Sequence, residues 1–200
     1  MDLASHADAM LNDIKRINKG SRPIIFIAHS FGGILLKKAL VIAANGSREY
    51  QRVANKTNGI LFLGVPHHGT KASFIASILS CTAYWRGSST VLLETISEGN
   101  PDLLILDKDF RDIYVHPSSA SGFGLPYIRN FIEMKPERYG RLSLGPTVSI
   151  DSAQGQYSNP IFLDTDHRGL NKFPSPNDGN FEKLLEELRK SLYHEKAVED

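Results

Sequence analysis

The ten residues Ile24-Ile25-Phe26-Ile27-Ala28-His29-Ser30-Phe31-Gly32-Gly33 limit what this chain can fold into more than any other stretch. Pro23 opens the run Ile24 to Ala28, which is continuously apolar and rich in β-branched residues. That pattern predicts a strand buried on both faces. Ile34 to Ala44 is mostly apolar and predicts a helix that stops near Asn45-Gly46. A serine between such a strand and such a helix fits a sharp, strained turn where the two backbones nearly touch. The residues two before and two after the serine must then be small. Ala28 and Gly32 meet that demand, although the usual pattern has glycine where Ala28 stands. The turn would hold the Ser30 hydroxyl above the sheet edge as a nucleophile. It would also aim the backbone N–H of Phe31, at the start of the helix, at a developing oxyanion. No GxGxxG string and no Walker lysine accompanies the turn, so a phosphate cradle is not indicated.

The rest of the chain supplies a matching framework. Leu3, Ala7, Met10, Leu11, Ile14 and Ile17 recur at helical spacing and predict a helix over 3–18. Gly59 to Val65 predicts a second buried strand, stopped by Pro66. Residues 71–112 read as a helical insertion with a polar break around Gly87-Ser88-Ser89, and its leucines and isoleucines are expected to pack in the core. The Ser, Gly and Pro between His116 and Gly124 mark a loop. Tyr127 to Ile132 and Pro160 to Leu163 are further strand candidates, and Thr147 to Ile150 is a short apolar piece. Phe181, Leu184, Leu185, Leu188 and Leu192 mark a closing amphipathic helix. Strands alternating with helices build an α/β fold, a mostly parallel sheet with helices on its faces. With 200 residues, 41% of them hydrophobic, one domain over 1–200 is expected.

A serine nucleophile needs a base, and the chain has seven histidines. His6 precedes the serine on a helix. His29 lies inside the turn and is expected to point away. His67 and His68 follow the second strand, His116 lies in a loop, and His194 is in the tail. His167 alone follows a strand late in the chain and precedes the final helix, which is the place for the base in the chain order serine, acid, histidine. The acid should end the preceding strand, which selects Glu133, with Asp151 as the alternative. Asp164 and Asp166 are too close to His167 in sequence to be first choices. His167 would take the Ser30 proton as Ser30 attacks an acyl carbonyl, then return it to the leaving group. That chemistry calls for no metal and no cofactor, and the adjacent pair His67-His68 is a poor chelating arrangement.

Composition narrows the partners. A net charge of +1 and a pI near 7.9 give no electrostatic case for nucleic acid or for an anionic membrane surface. No apolar run approaches the roughly 20 residues that span a bilayer, and the first residues lack the apolar centre of a signal peptide. The single cysteine, Cys81, cannot form an internal disulfide. A soluble intracellular domain is the default expectation, acting on a small ester or lipid.

The strings "FIAHSFGGILLKKAL", "GILFLGVPHHGT", "FIEM", "VSIDSA" and "DTDHRGLNKF" occur in this order and together resemble the lipase-like serine esterases typified by the serine-active-site-containing protein. That family is a branch of the α/β-hydrolases, and the resemblance spans about residues 5–192. In it, Pro66-His67-His68-Gly69-Thr70 matches a loop in which arginine is common at the place of His68. The resemblance implies a serine at Ser30, a histidine at His167 and an acid at Glu133 or Asp151. It also implies lipid chemistry and an association with mitochondria or the endoplasmic reticulum. Fungal members often precede NACHT, ankyrin or tetratricopeptide regions.

One departure from that fold is expected to matter. A full α/β-hydrolase has several strands before the nucleophile strand, and a HGxGG-like loop that supplies a second oxyanion donor. Here the residues before Ile24 read as a single helix. The early strands are therefore expected to be missing from this chain, or to be supplied by a fused or partner domain. Weak or absent activity of the chain alone follows from that expectation. So does a competing function as a non-catalytic hydrolase-like module of a larger signalling protein.

Overall fold

Parallel strands whose carboxyl ends line up along one edge are the frame of this protein. A computed structural model describes residues 2–19, 22–67, 100–117, 124–136, 138–139, 142–143 and 160–196. Strands β1 (Ile24–His29), β2 (Thr57–Leu63), β3 (Tyr127–Glu133) and β6 (Ile161–Leu163) form one sheet in the order β1-β2-β3-β6, with every pairing parallel. The register sets His29 opposite Leu63, Leu63 opposite Phe131, and Glu133 opposite Leu163. A separate antiparallel pair joins β4 (Arg138–Tyr139) to β5 (Leu142–Ser143). This is the partial α/β fold that the strand–helix alternation predicts.

The helices are α1 (Leu3–Ile17), α2 (Phe31–Asn45), α3 (Arg48–Lys56), α4 (Pro101–Tyr114) and α5 (Gly179–Leu192). Their starts follow from local chemistry. The Asp2 carboxylate accepts from the N–H of Ser5, the Asn100 side chain from those of Asp102 and Leu103, and the Asp178 carboxylate from those of Asn180 and Phe181. Each cap satisfies backbone donors that the first helical turn leaves without an acceptor. Pro101 at the first position of α4 brings its fixed φ and has no N–H to leave unmet.

The two faces of the sheet carry two cores. Ile60 and Phe62 of β2 face the larger one, with Ile34, Leu36 and Leu40 of α2, Leu11 of α1, Val53 of α3 and Phe110 of α4. Leu61 and Leu63 of the same strand face the smaller one, with Phe131, Leu163, Leu170 and Leu184 of α5. The two-residue alternation along β2 divides its side chains between them.

Several expectations change on contact with the structure. Strand β1 is not buried on both faces. Among the described residues it stands at one end of the sheet order, and Ile27 is half exposed. The fully covered strand is β2, sandwiched between β1 and β3. Helix α3 has no counterpart in the sequence reading, because only Val53 and Ala54 of its nine residues are buried and the apolar stripe is too short to register. Within the expected helical insertion, α4 begins at Pro101 and runs past 112 to Tyr114, docking on α2. Residues 71–99, including Cys81, and the piece Thr147 to Ile150 lie outside the described residues.

Candidate active site

Backbone geometry singles out Ser30. Its φ is +53° and its ψ −131°, and it is the one non-glycine residue among those described with a positive φ. Such a conformation costs an L-residue about 1–3 kcal/mol and persists only where the surroundings enforce it. Here the Ser30 N–H donates to the Leu63 carbonyl at 2.9 Å, and the Gly33 N–H donates to the Ser30 carbonyl at 3.0 Å as α2 begins. Phe31 is the first residue of α2, so its N–H belongs to the first-turn group that has no intrahelical acceptor.

The steric demand around the turn falls elsewhere than the motif suggests. A side chain at Gly32 would meet nothing within 4 Å among the described residues, so crowding does not account for that glycine. The tight position is Gly33, where a Cβ would lie 2.2 Å from a methyl of Val65. Glycine there lets α2 settle onto the segment after β2. Ala28 is buried, consistent with a small residue before the turn.

The base and acid candidates come together. Glu133, the last residue of β3, is 5% exposed, and His167 opens a 3-10 turn (His167–Gly169) after β6 and is 6% exposed. His167 is thus no surface loop residue. Its Nδ1 lies 3.3 Å from Glu133 Oε1. A carboxylate only accepts, so Nδ1 carries the proton and the lone pair of the neutral ring sits on Nε2. The Asp166 side chain caps the turn by accepting from the Gly169 N–H at 2.9 Å. Asp164 instead pairs with Lys135 at 3.0 Å, so among the described residues Glu133 is the carboxylate placed at Nδ1. Asp151 lies outside the described residues.

Two residues with no assigned role in the sequence build the seat of this imidazole. Gly64, just after β2, has φ +55°, and a Cβ there would meet His167 Cε1 and Nδ1 at 2.9 Å and Leu170 Cδ1 at 2.5 Å. Glycine supplies both the backbone conformation and the space. His29 does not point away from the site. Its Nε2 lies 3.0 Å from the His167 carbonyl, and the two rings pack with centroids 4.9 Å apart at 37°. Burial, and then the neighbouring His167, push His29 down to about 4, so its ring is neutral at pH 7. The only sequence signals were a glycine between an apolar run and Val65-Pro66, and a histidine adjacent to the serine.

His67, expected to be incidental, is buried. Its Nε2 is 3.3 Å from Asn130 Oδ1, and its ring meets Phe62 edge-on at 5.0 Å. His68 lies outside the described residues.

The class is thus a parallel α/β domain with a strained serine at the carboxyl edge of its sheet and an imidazole–carboxylate pair delivered to the same edge. In such sheets, that edge is where ligands bind. The chain is similar to Protein SERAC1: 26% identical over 190 residues to the human protein, 25% to that of Mus musculus and 28% to that of Danio rerio. Each of these matches covers 95% of this chain but 27% of the relative, so the chain spans about a quarter of the length of the relatives it matches. No protein-family model matches the chain, and no solved structure does. Among the described residues, no helix is long and apolar enough to cross a membrane.

Proposed function

We propose that this chain is a serine hydrolase of carboxylic esters, with a lipid ester as the favoured substrate class. The observation that carries the reading is the conjunction at one sheet edge of Ser30 in its strained turn with the His167–Glu133 pair. Ser30 is the nucleophile, and the lone pair on His167 Nε2 accepts its proton as the hydroxyl oxygen attacks the acyl carbonyl. Glu133, bonded to Nδ1–H, orients the ring and stabilises the imidazolium that forms. The Phe31 N–H faces the developing oxyanion at the positive end of α2. His167 then returns the proton to the departing alkoxide, and water clears the acyl-enzyme by the same route. The lipid substrate, a site of action at mitochondria or the endoplasmic reticulum, and a kinship with the fungal esterases rest on the family resemblance.

A second reading is a non-catalytic hydrolase-like module of a larger protein. It draws on the chain matching only 27% of its relatives' length, and on β1 having a strand partner on one side only among the described residues. One experiment separates the two. The purified chain is incubated with a fluorophosphonate probe and with p-nitrophenyl esters of different chain lengths. The hydrolase reading expects labelling mapped to Ser30 by mass spectrometry, and turnover that disappears in Ser30→Ala. A chain that is folded by circular dichroism yet neither labels nor turns over would leave the module reading standing.

A further inference from the structure

We propose that His29 is a positioning residue for His167: it donates its Nε2–H to the His167 carbonyl and presents an uncharged ring to the imidazole, so that the base keeps one orientation. The proposal rests on the hydrolase reading above for its functional meaning, but its structural content stands independently.

Three observations carry it. First, the contact between His29 Nε2 and the His167 carbonyl, at 3.0 Å, joins residues 138 positions apart. A carbonyl oxygen cannot donate, so the His29 ring must hold its proton on Nε2. The bond goes to the backbone of the residue whose side chain reaches Glu133, so it fixes where that side chain starts. Second, the ring of His29 packs against that of His167 at 4.9 Å, while Gly64 leaves room on another side. His167 is therefore held by a carboxylate at Nδ1, by its own carbonyl, and by ring contact. Third, His29 is the last residue of β1 and lies opposite Leu63, whose carbonyl accepts from the Ser30 N–H. The tether thus runs from the strand that carries the nucleophile to the turn that carries the base, and it fixes one relative to the other.

The charge of His29 matters for the same reason. When His167 takes the Ser30 proton, a positive charge develops beside His29. A second cation a few ångströms away would oppose it. The charged and titratable groups acting on His29 are His167, Glu133 and Lys172. Burial, then the neighbouring His167 ring and Lys172, disfavour a second proton on His29, and together they outweigh the hydrogen bond to the His167 carbonyl and Glu133, which favour it. The ring is therefore neutral when the imidazolium forms.

The test uses the full chain with ¹⁵N-labelled histidine, as wild type, His29→Phe and His29→Gln. Phenylalanine keeps a ring and loses the donor. Glutamine keeps an N–H at similar reach and cannot titrate. Long-range ¹H–¹⁵N spectra at pH 7 are expected to show His29 neutral and protonated at Nε2, and His167 with a single Nδ1–H pattern. That His167 pattern is expected to be lost in His29→Phe and retained in His29→Gln. In ester hydrolysis, kcat is expected to fall roughly tenfold or more in His29→Phe with KM within about twofold, and to recover largely in His29→Gln. A charged or Nδ1-protonated His29 in the wild type, or a His167 spectrum identical in all three proteins, overturns the inference. So does kcat unchanged in an active His29→Phe. Wild type that shows the expected spectra but never reacts with ester or probe removes the hydrolase reading and leaves the tether intact.

Discussion

At φ +53° and ψ −131°, Ser30 occupies backbone space that glycine enters at little cost and serine does not. In the proposed hydrolase, that strain sits at the position that presents the nucleophilic hydroxyl. Ser30→Gly is therefore expected to stabilise the folded chain by about 1 kcal/mol or more while abolishing probe labelling. Urea denaturation of the two proteins measures the gain, and a loss of stability in the glycine variant would show that the turn is not strained. His29 makes the opposite bargain with acid. Burial lowers it from 6.5 to about 4, so above pH 6.5 it is neutral whether the chain is folded or not. As pH falls from 6.5 towards 4, the unfolded chain takes up a proton that the folded protein refuses, and stability declines. The loss across that window is on the order of 2–3 kcal/mol for this group. Comparison with His29→Gln isolates it, because His167, Glu133 and Lys172 remain in both proteins. The glutamine variant is expected to lose less stability between pH 6.5 and 4, by urea midpoints taken at each pH.

Elements with long apolar runs could be read directly. Helix α2 and strand β2 owe their identity to their own residues, and the order of strand ends picks out His167, and Glu133 with Asp151 as its alternative, as site candidates. Helix α3 could not be read that way. Arg48, Glu49, Gln51, Arg52, Asn55 and Lys56 give it a polar surface, and it is held by docking on α1 and α2 and by the Lys15–Glu49 ion pair. His29 and Gly64 were hidden for a related reason: their roles arise where β1, β2 and a turn more than a hundred residues later converge. Lys37 is a third case. Nothing in the string "ILLKKAL" marks it as buried, yet it is 1% exposed and ion-paired with Asp107 of α4, which also accepts from the Nε of Arg111 at 2.9 Å. The pair locks α4 onto α2. Asp107→Ala strips a buried ammonium of its carboxylate and is expected to cost about 3–5 kcal/mol. Replacing both partners, Lys37→Met with Asp107→Leu, is expected to cost less than the single change, because no buried charge is left uncompensated. Denaturant melts of the single and double variants decide it, and a double variant less stable than Asp107→Ala would contradict the account.

On the scale of the molecule, the sheet separates a large core beneath α1 to α4 from a small one beneath α5, and the parts of the site depend on them unequally. The start of α2, just after Ser30, is anchored in the large core. The turn bearing His167 is anchored in the small one through Leu170, which is fully buried and would collide with any side chain at Gly64. Leu40 of α2 is equally buried in the large core, but lies more than two helical turns beyond Ser30. Leu170→Ala and Leu40→Ala should each cost about 2–5 kcal/mol of stability, since each removes a fully packed side chain. Their effects on reactivity should differ. With Leu170 shortened, the turn can shift against Gly64, and displacement of a base by about 1 Å is enough to cost up to roughly a hundredfold in rate. With Leu40 shortened, the cavity opens beneath the helix and leaves the carboxyl edge of the sheet in place. Fluorophosphonate labelling rates, measured at a temperature where urea melts show both variants fully folded, should fall at least about tenfold for Leu170→Ala and stay within about twofold of wild type for Leu40→Ala. Equal labelling rates in the two variants would mean that the small core does not hold the base in register with the serine, and that the edge bonds to Glu133 and His29 suffice alone.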